Sequence, residues 1–224
     1  MFSRRMSPRR AGRTRQSPEP TIKSLNAPDR PILLIIAGPN GSGKSSVYLH
    51  TDLELEGRSV WIVNPDLLAA RITSVEGLGL VEANLEAVRR IEQWLDSSIA
   101  VHKTIGVETV LSTGKYRRIV TDAKCAGFEV WLFYVILDSP ERSIERIKLR
   151  VAKGGHDVPD DKVRERYGRS LDQLPWFLEQ ADRAWLWDNS GATPRQIGEK
   201  HDGLIRLDHN ALEVVAAAVR LVAS

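Results

Sequence analysis

The stretch IIAGPNGSGKSS, residues 35–46, ends an apolar run with three glycines and a lysine. From Gly38 to Ser45 it matches the pattern G-x-x-x-x-G-K-[S/T] at every fixed position. The glycines let the backbone turn so that successive N–H groups point inward, and a helix that begins there adds its positive end. The stretch therefore predicts a phosphate-binding loop between a buried strand and a helix.

Each residue of this loop is expected to contribute to nucleotide binding. Lys44 is expected to reach the β- and γ-phosphates of ATP, and the Ser45 hydroxyl is expected to ligate Mg²⁺. ATP and Mg²⁺ are the predicted cofactors. The predicted nucleotide-binding residues of the loop are Gly38, Pro39, Asn40, Gly41, Ser42, Gly43, Lys44, Ser45 and Ser46.

Strand-like and helix-like patterns alternate along the chain, which indicates an α/β fold. The runs ILLIIA, SVWIV, GVETVLS and EVWLFYVIL are typical of buried parallel strands, and RAWLWD predicts a last core strand. Apolar residues at steps of three or four predict a helix with one face on the sheet. That face comprises Leu78, Val81, Leu85, Val88, Ile91, Leu95 and Ile99. Further helices are predicted at 116–126, 140–151 and 212–222.

Charge is distributed unevenly between the two ends of the chain. Residues 1–30 hold eight Lys or Arg and two acidic residues, so the rest of this +3 chain is slightly acidic. This Arg-, Ser- and Pro-rich segment lacks the apolar core of a signal peptide and is predicted to be a disordered basic tail. A solvated tail is the favoured interpretation, and a basic arm that touches RNA or a partner protein is the alternative. Residues 31–224 are predicted to form one domain.

Two observations bear on the compartment. No apolar run approaches the ~20 residues that a membrane-spanning helix needs, so no association with a membrane is expected. The single cysteine, Cys125, precludes an internal disulfide and favours a reducing compartment. We therefore expect a cytoplasmic protein.

A phosphate-binding loop occurs in kinases, ATPase motors and GTPases alike. The chain contains neither the serine-glycine-glycine signature of an ABC-type ATPase nor the N-K-x-D motif of a GTPase. Asp138 follows a buried strand, but the Ser139-Pro140 pair after it predicts the start of a helix. Small-molecule and nucleotide kinases remain.

Such kinases need a group near the acceptor hydroxyl that can orient it and accept its proton, and a carboxylate can do both. Asp66 follows the second predicted strand, at the carboxyl edge where open α/β sheets bind ligands, so we expect it to act as general base. The alternative is that Asp66 only caps the helix that begins at Leu67. Glu108 lies within an apolar strand, where a carboxylate must line a cleft or find a structural partner. Contact with substrate or magnesium is the favoured role for Glu108.

Two sets of basic residues flank the glycine-rich bend KGGHDVP. They are Arg142, Arg146 and Arg150 before the bend and Lys162, Arg166 and Arg169 after it. The residues of each set share one helix face, where their like charges repel one another unless an anion or an acidic residue faces them. A helix-bend-helix unit of this kind predicts a lid over about 150–172 that closes on phosphates. Surface arginines are the alternative, and His156 in the bend is a secondary candidate for substrate contact.

The order and spacing of these stretches resemble the zeta toxin family of P-loop kinases, in the branch often labelled predicted ABC-type ATPase. The resemblance rests on AGPNGSGKSS, NPDLLAARI, VETVLS, LDSPERSIERIKLRVAKGGHDVP and ERYGRSL, and spans roughly residues 32–190. It implies a P-loop fold with a parallel five-stranded sheet, flanking helices and a helical lid, and an ATP-dependent phosphotransferase activity. In the characterised toxins the acceptor is UDP-N-acetylglucosamine, so a nucleotide-sugar substrate is implied and an antitoxin is a possible partner.

The family's site residues can be carried onto matching positions of this chain. The catalytic residues implied are Asp66 as general base, Lys44, and Arg166 and Arg169 as lid arginines that hold the γ-phosphate. The family has an acid in the substrate cleft at the position of Glu108. The substrate-binding residues predicted for this chain are Asp66, Glu108, Thr109 and, as a secondary candidate that could instead pack in the hinge, His156. Asn189 and Ser190, in WDNS, match a segment that lies near the adenine in the family. The RRY of this branch reads Glu165-Arg166-Tyr167 here, so one lid arginine is absent or replaced by Arg164.

Two other functions stay open at the level of the sequence. A nucleic-acid 5′-hydroxyl kinase would fit the basic tail, although the slightly acidic body does not favour it. A nucleotide-dependent regulator without acceptor chemistry would hydrolyse ATP slowly and release only phosphate.

Overall fold

The structure is a computed structural model that describes residues 30–46, 60–155 and 157–222. The strands are β1 (Ile32–Ala37), β2 (Ile62–Val63), β3 (Ile105–Thr109), β4 (Glu129–Ile136), β5 (Arg183–Asp188), β6 (Arg195–His201) and β7 (Leu204–Leu207). The helices are α1 (Pro65–Glu76), α2 (Leu80–Ala100), α3 (Arg117–Cys125), α4 (Pro140–Val151), α5 (Asp160–Gln180) and α6 (Glu213–Arg220). A 3-10 turn at Gly114–Tyr116 precedes α3.

These strands form one sheet in the order β2-β3-β1-β4-β5-β6-β7. The pairs from β2 to β5 are all parallel, as the sequence predicted. β6 and β7 extend the sheet with an antiparallel hairpin. The α/β fold is therefore confirmed, and the predicted five-stranded parallel sheet is the core of a larger mixed sheet.

β1 lies at the centre of the parallel region, hydrogen-bonded to β3 on one side and β4 on the other. Its apolar run is almost fully buried on both faces. Leu33 and Ile35 join the main core under the helices, whereas Ile32, Leu34 and Ile36 pack with Trp131 and Phe133 on the opposite face. This central burial fixes the position of the loop that follows β1.

The predicted buried face of α2 is correct only in its second half. Ile91, Leu95 and Ile99 are buried as expected, but Val81 and Leu85 are 73% and 68% exposed. In the first half, the small residues Ala83 and Ala87 are buried against Ala69 and Ile72 of α1. The close approach of two antiparallel helices places alanines at the contact and turns the larger side chains outward.

The β6–β7 hairpin was not predicted from the sequence. β6 carries a single fully buried apolar residue, Ile197, and also buries Lys200. The Lys200 ammonium donates hydrogen bonds to the carbonyls of Leu178 and Glu179 near the end of α5. A strand that buries a lysine beside a single apolar residue does not show the alternation of apolar and polar residues on which sequence prediction depends.

The structure describes only part of the predicted tail and domain. The predicted basic tail lies outside the described residues except for Arg30, which donates to the carbonyls of Gly127 and Phe128. In the described ranges, no helix combines the length and the apolar character that crossing a membrane requires.

Candidate functional site

The loop after β1 packs closely against the end of β4 and against Asn189, which follows β5. Gly38 has φ 142°, and a Cβ there would lie 1.9 Å from the Val135 carbonyl oxygen. Gly43 has φ 83°, and a Cβ there would lie 2.4 Å from the Asn189 amide nitrogen. Both positions therefore require glycine. Residues 44–46 are helical, so the loop has the predicted strand-loop-helix context.

Lys44 lies inside the loop and is 8% exposed. Its ammonium donates to the carbonyls of Gly38 at 2.9 Å and Pro39 at 3.3 Å, and lies 3.9 Å from the Glu108 carboxylate. Burial lowers the pKa of Lys44, while the charges of Glu108 and Asp66 act in the opposite direction. A buried ammonium gains from an anion, so this position suits a phosphate group.

Glu108 lies near the end of β3 and is 9% exposed. Its carboxylate accepts a hydrogen bond from the Ser45 hydroxyl at 3.1 Å. Serine and carboxylate oxygens are suitable ligands for Mg²⁺, which commonly binds one or two carboxylates together with waters and substrate phosphates. This pair fits the predicted magnesium, because both side chains supply oxygen ligands.

Asp66 does not have the capping role that the sequence left open. The Asn64 side-chain oxygen accepts from the backbone N–H of Asp66 at 2.9 Å and of Leu67 at 3.1 Å. Asn64 is thus the N-cap of α1, and Pro65 occupies its first turn. The Asp66 carboxylate lines a cleft at the carboxyl edge of the sheet.

This cleft has a volume of about 350 Å³. The structure brings several predicted site residues together in its lining, among them Asn40, Gly41 and Thr109. Its charged lining residues are Lys44, Asp66, Glu108, Lys115, Arg150 and Arg166. Cations and two carboxylates therefore face one space, as a phosphoryl-transfer site requires. Lys115 had not been singled out from the sequence, and Arg150 had been named only among the basic residues of the predicted lid.

Arg166 is held in the cleft by the packing of its own helix. The neighbouring Tyr167 hydroxyl donates to the Leu137 carbonyl at 2.6 Å, and the Ser170 hydroxyl lies 3.0 Å from that of Tyr134. Val163 on the same inner face is fully buried. The first half of α5 is thus attached to the end of β4, within the segment predicted as a lid. Movement of this lid remains a prediction.

The other lid arginines occupy different positions. Arg169 forms an ion pair with Glu165 at 2.7 Å, one turn before it on α5, and does not line the cleft. Arg164 lies 3.2 Å from Glu141. Arg150, at the end of α4, lines the cleft beside Arg166. The structure therefore brings Arg150 and Arg166 together and leaves Arg169 outside, so a γ-phosphate contact of Arg169 remains only a prediction.

Asn189 holds the backbone of the phosphate-binding loop by a hydrogen bond. Its side-chain amide nitrogen donates to the Ser42 backbone carbonyl at 2.8 Å. Its backbone carbonyl accepts from the Arg146 guanidinium at 2.6 Å. A contact of Asn189 with adenine stays a prediction. At the same edge, Asp138 forms an ion pair with Arg142, and of the two cap candidates, Asp138 and Ser139, it is Ser139 that caps α4. His156 lies outside the described residues.

Comparison with known proteins supports the same family as the motifs. The Zeta toxin family model matches residues 19–183. An uncharacterised protein of Haemophilus influenzae is 28% identical over 134 residues, which cover 60% of this chain and 91% of that protein.

Two solved structures have the same fold at low sequence identity. A chain of the AvrRxo1-ORF1:-ORF2 complex with ATP gives a TM-score of 0.64 at 16% identity, with 87% of this chain covered. This chain spans only 64% of that one. A chain from the PezAT chromosomal toxin-antitoxin system of Streptococcus pneumoniae gives 0.54 at 17% identity, covering 77% of this chain and 75% of its own. These structures support the fold, and the family model, which covers well over half of the sequence, shows that this chain belongs to the zeta toxin family.

Proposed function

We propose that the protein is an ATP-dependent phosphotransferase that phosphorylates a hydroxyl of a nucleotide sugar such as UDP-N-acetylglucosamine. The observation that carries the proposal is the shared cleft, where the loop cation Lys44 and the carboxylate of Asp66 line one space. A kinase needs this proximity, because the γ-phosphoryl and the acceptor hydroxyl must meet in line.

In the proposed reaction, the loop binds the phosphates of ATP and Lys44 contacts the β- and γ-phosphates. Asp66 accepts the proton of the acceptor hydroxyl as its oxygen attacks the γ-phosphorus. The bond from the γ-phosphorus to the bridging oxygen breaks, and ADP leaves with that electron pair. Ser45 and Glu108 would hold Mg²⁺, which would neutralise part of the negative charge on the phosphates.

Arg150 and Arg166 are proposed to bind the oxygens of the phosphoryl group during transfer. Arg166→Ala is expected to lower kcat roughly tenfold or more and to change the KM for ATP less, because the contact strengthens as charge shifts in the transition state. Arg150→Ala is expected to behave in the same way. Steady-state kinetics with varied ATP will check both.

Arg169→Ala decides between the sequence prediction and the observed ion pair. A fall in kcat equal to that of Arg166→Ala would support a phosphate contact made by lid movement. A change in thermal stability alone would assign Arg169 to its pair with Glu165. If Arg166→Ala also changed stability alone, the proposed role of Arg166 would be withdrawn.

Incubation with γ-labelled ATP and UDP-N-acetylglucosamine tests the function itself. The expected product is a labelled nucleotide sugar together with ADP. Free labelled phosphate as the only product would favour a nucleotide-dependent regulator. Label on the 5′ end of an RNA, lost on deletion of residues 1–30, would instead favour the nucleic-acid kinase.

An antitoxin protein is proposed as the partner. The support is family membership together with the PezAT structure, which is named as part of a toxin-antitoxin system. Induced expression of the chain alone is expected to arrest bacterial growth, whereas the Lys44→Ala variant should not. Equal growth of both strains at equal protein levels would argue against a toxin.

A further inference from the structure

The cleft has a second set of hydrogen-bond donors, away from the phosphate-binding loop. Ser112, Thr113 and Lys115 follow β3 and line the same space as Asp66. Within the part of the chain that the structure describes, no hydrogen bond or ion pair engages their side chains. Their donors are therefore available to a ligand that enters the cleft and supplies acceptor oxygens.

The fold separates Lys115 from the other cations of the cleft. Lys44 follows β1, and Arg150 and Arg166 lie on the two helices that come after β4, which pairs with β1. Lys115 follows β3, on the other side of β1, and β3 in turn pairs with β2, after which Asp66 lies. One side of the cleft thus has the cations suited to ATP, and Lys115 lies on the side of the proposed base.

The surroundings of Lys115 give its ammonium a defined position. Much of the residue is exposed at the mouth of the cleft, but its nitrogen lies 4.7 Å from the centroid of the buried Tyr116 ring. Burial lowers the pKa of Lys115, and the charge of Glu92 on α2 acts in the opposite direction. Glu92 forms no ion pair with it among the described residues. An ammonium that is partly removed from water and lacks an ion-pair partner would gain from a bound anion.

We propose that Lys115, with the hydroxyls of Ser112 and Thr113, binds an anionic group of the acceptor and selects for it. The acceptor is then a hydroxyl compound that also carries a phosphate or a carboxylate, with the hydroxyl at Asp66 and the anion at Lys115. This inference deepens the proposed function and rests on it for the role of Asp66. It assigns Lys115 a role in specificity and leaves the transfer step to the other cations.

The kinetic test uses four acceptors and four proteins. The acceptors are N-acetylglucosamine, its 1-phosphate, UDP-N-acetylglucosamine and glucuronic acid. The proteins are the parent, Lys115→Met, Lys115→Arg and, as a matched control, Glu92→Gln. Lys115→Met keeps the aliphatic stem over Tyr116, so the fold and the KM for ATP should hold. The KM for the anionic acceptors should rise roughly tenfold or more, as expected for loss of a charge-assisted hydrogen bond.

The pattern across variants separates recognition from a structural role. Lys115→Arg should restore most of the affinity for anionic acceptors, and Glu92→Gln should leave that affinity unchanged or slightly improved. The uncharged N-acetylglucosamine should be used poorly by all four proteins. A preference for the 1-phosphate over glucuronic acid would identify phosphate as the anion, and the reverse would identify carboxylate. An unchanged preference in Lys115→Met would overturn the proposal.

A binding measurement distinguishes failure of this inference from failure of the proposed function. The protein is saturated with Mg²⁺ and a non-hydrolysable ATP analogue, and binding of N-acetylglucosamine 1-phosphate and glucuronic acid is measured by calorimetry. Binding that Lys115→Met weakens roughly tenfold, without transfer in the parent, would retain the anion site and reject the kinase. Transfer to charged and uncharged sugars at equal rates would retain the kinase and reject the anion site. Absence of binding and transfer for both anions would reject the inference.

Discussion

Lys44→Ala is expected to lower phosphoryl transfer by roughly 10²-fold or more while the protein still folds. The Lys44 ammonium now donates to two carbonyls of its own loop and faces Glu108. The phosphates of ATP would offer it charged acceptors in the same place, and charge-assisted hydrogen bonds are stronger than neutral ones. Loss of the ammonium therefore removes a positive charge that would stabilise the negative charge of the transferring phosphoryl group.

The measurement compares kcat/KM for transfer with the melting temperature of each variant. Lys44→Met serves as the control, because it keeps the aliphatic stem of the buried side chain and removes only the charge. Both variants should lose transfer to a similar extent, and the methionine variant should lose less stability than the alanine variant. Near-parental transfer by Lys44→Met would reject the role of the loop in phosphate binding.

The loop itself could be predicted because its chemistry is local. All of its residues are contiguous, and Gly38, Gly41 and Gly43 have positive φ values of 142°, 75° and 83°, which favour glycine. A pattern of eight residues thus contains the information about its own conformation. The apolar runs of the central strands are equally local, because burial on both faces leaves no room for polar alternation.

Side-chain direction across elements could not be predicted in the same way. Arg166 and Arg169 differ by three positions on one helix, and only packing against β4 determines which of them faces the cleft. The acid at position 165, one turn before Arg169, was a usable signal for an ion pair. The outward turn of Leu85 on α2 depended on the contact with α1, which the periodicity of α2 alone does not show.

Asp66→Asn is expected to reduce acceptor-dependent transfer by ~10²–10⁴-fold, the usual contribution of general acid–base catalysis. The amide keeps the size of the side chain but cannot accept the proton of the acceptor hydroxyl. ATP binding should survive, because the phosphates are assigned to the loop and to Lys44. Asp66→Ala should cause the same catalytic loss with little change in melting temperature, because Asn64 supplies the cap of α1.

Asn64→Ala is the matched control for this prediction. It removes the cap and should lower the free energy of unfolding by ~1 kcal/mol, whereas neither Asp66 variant should do so. Melting temperature, ATP affinity and transfer to UDP-N-acetylglucosamine, measured on all four proteins, separate the two residues. Sequence alone could not make this separation, because Asn64 and Asp66 are both good capping residues and lie two positions apart. An Asp66→Asn variant that transfers at the parental rate would move the role of base to Glu108, whose carboxylate lines the same cleft.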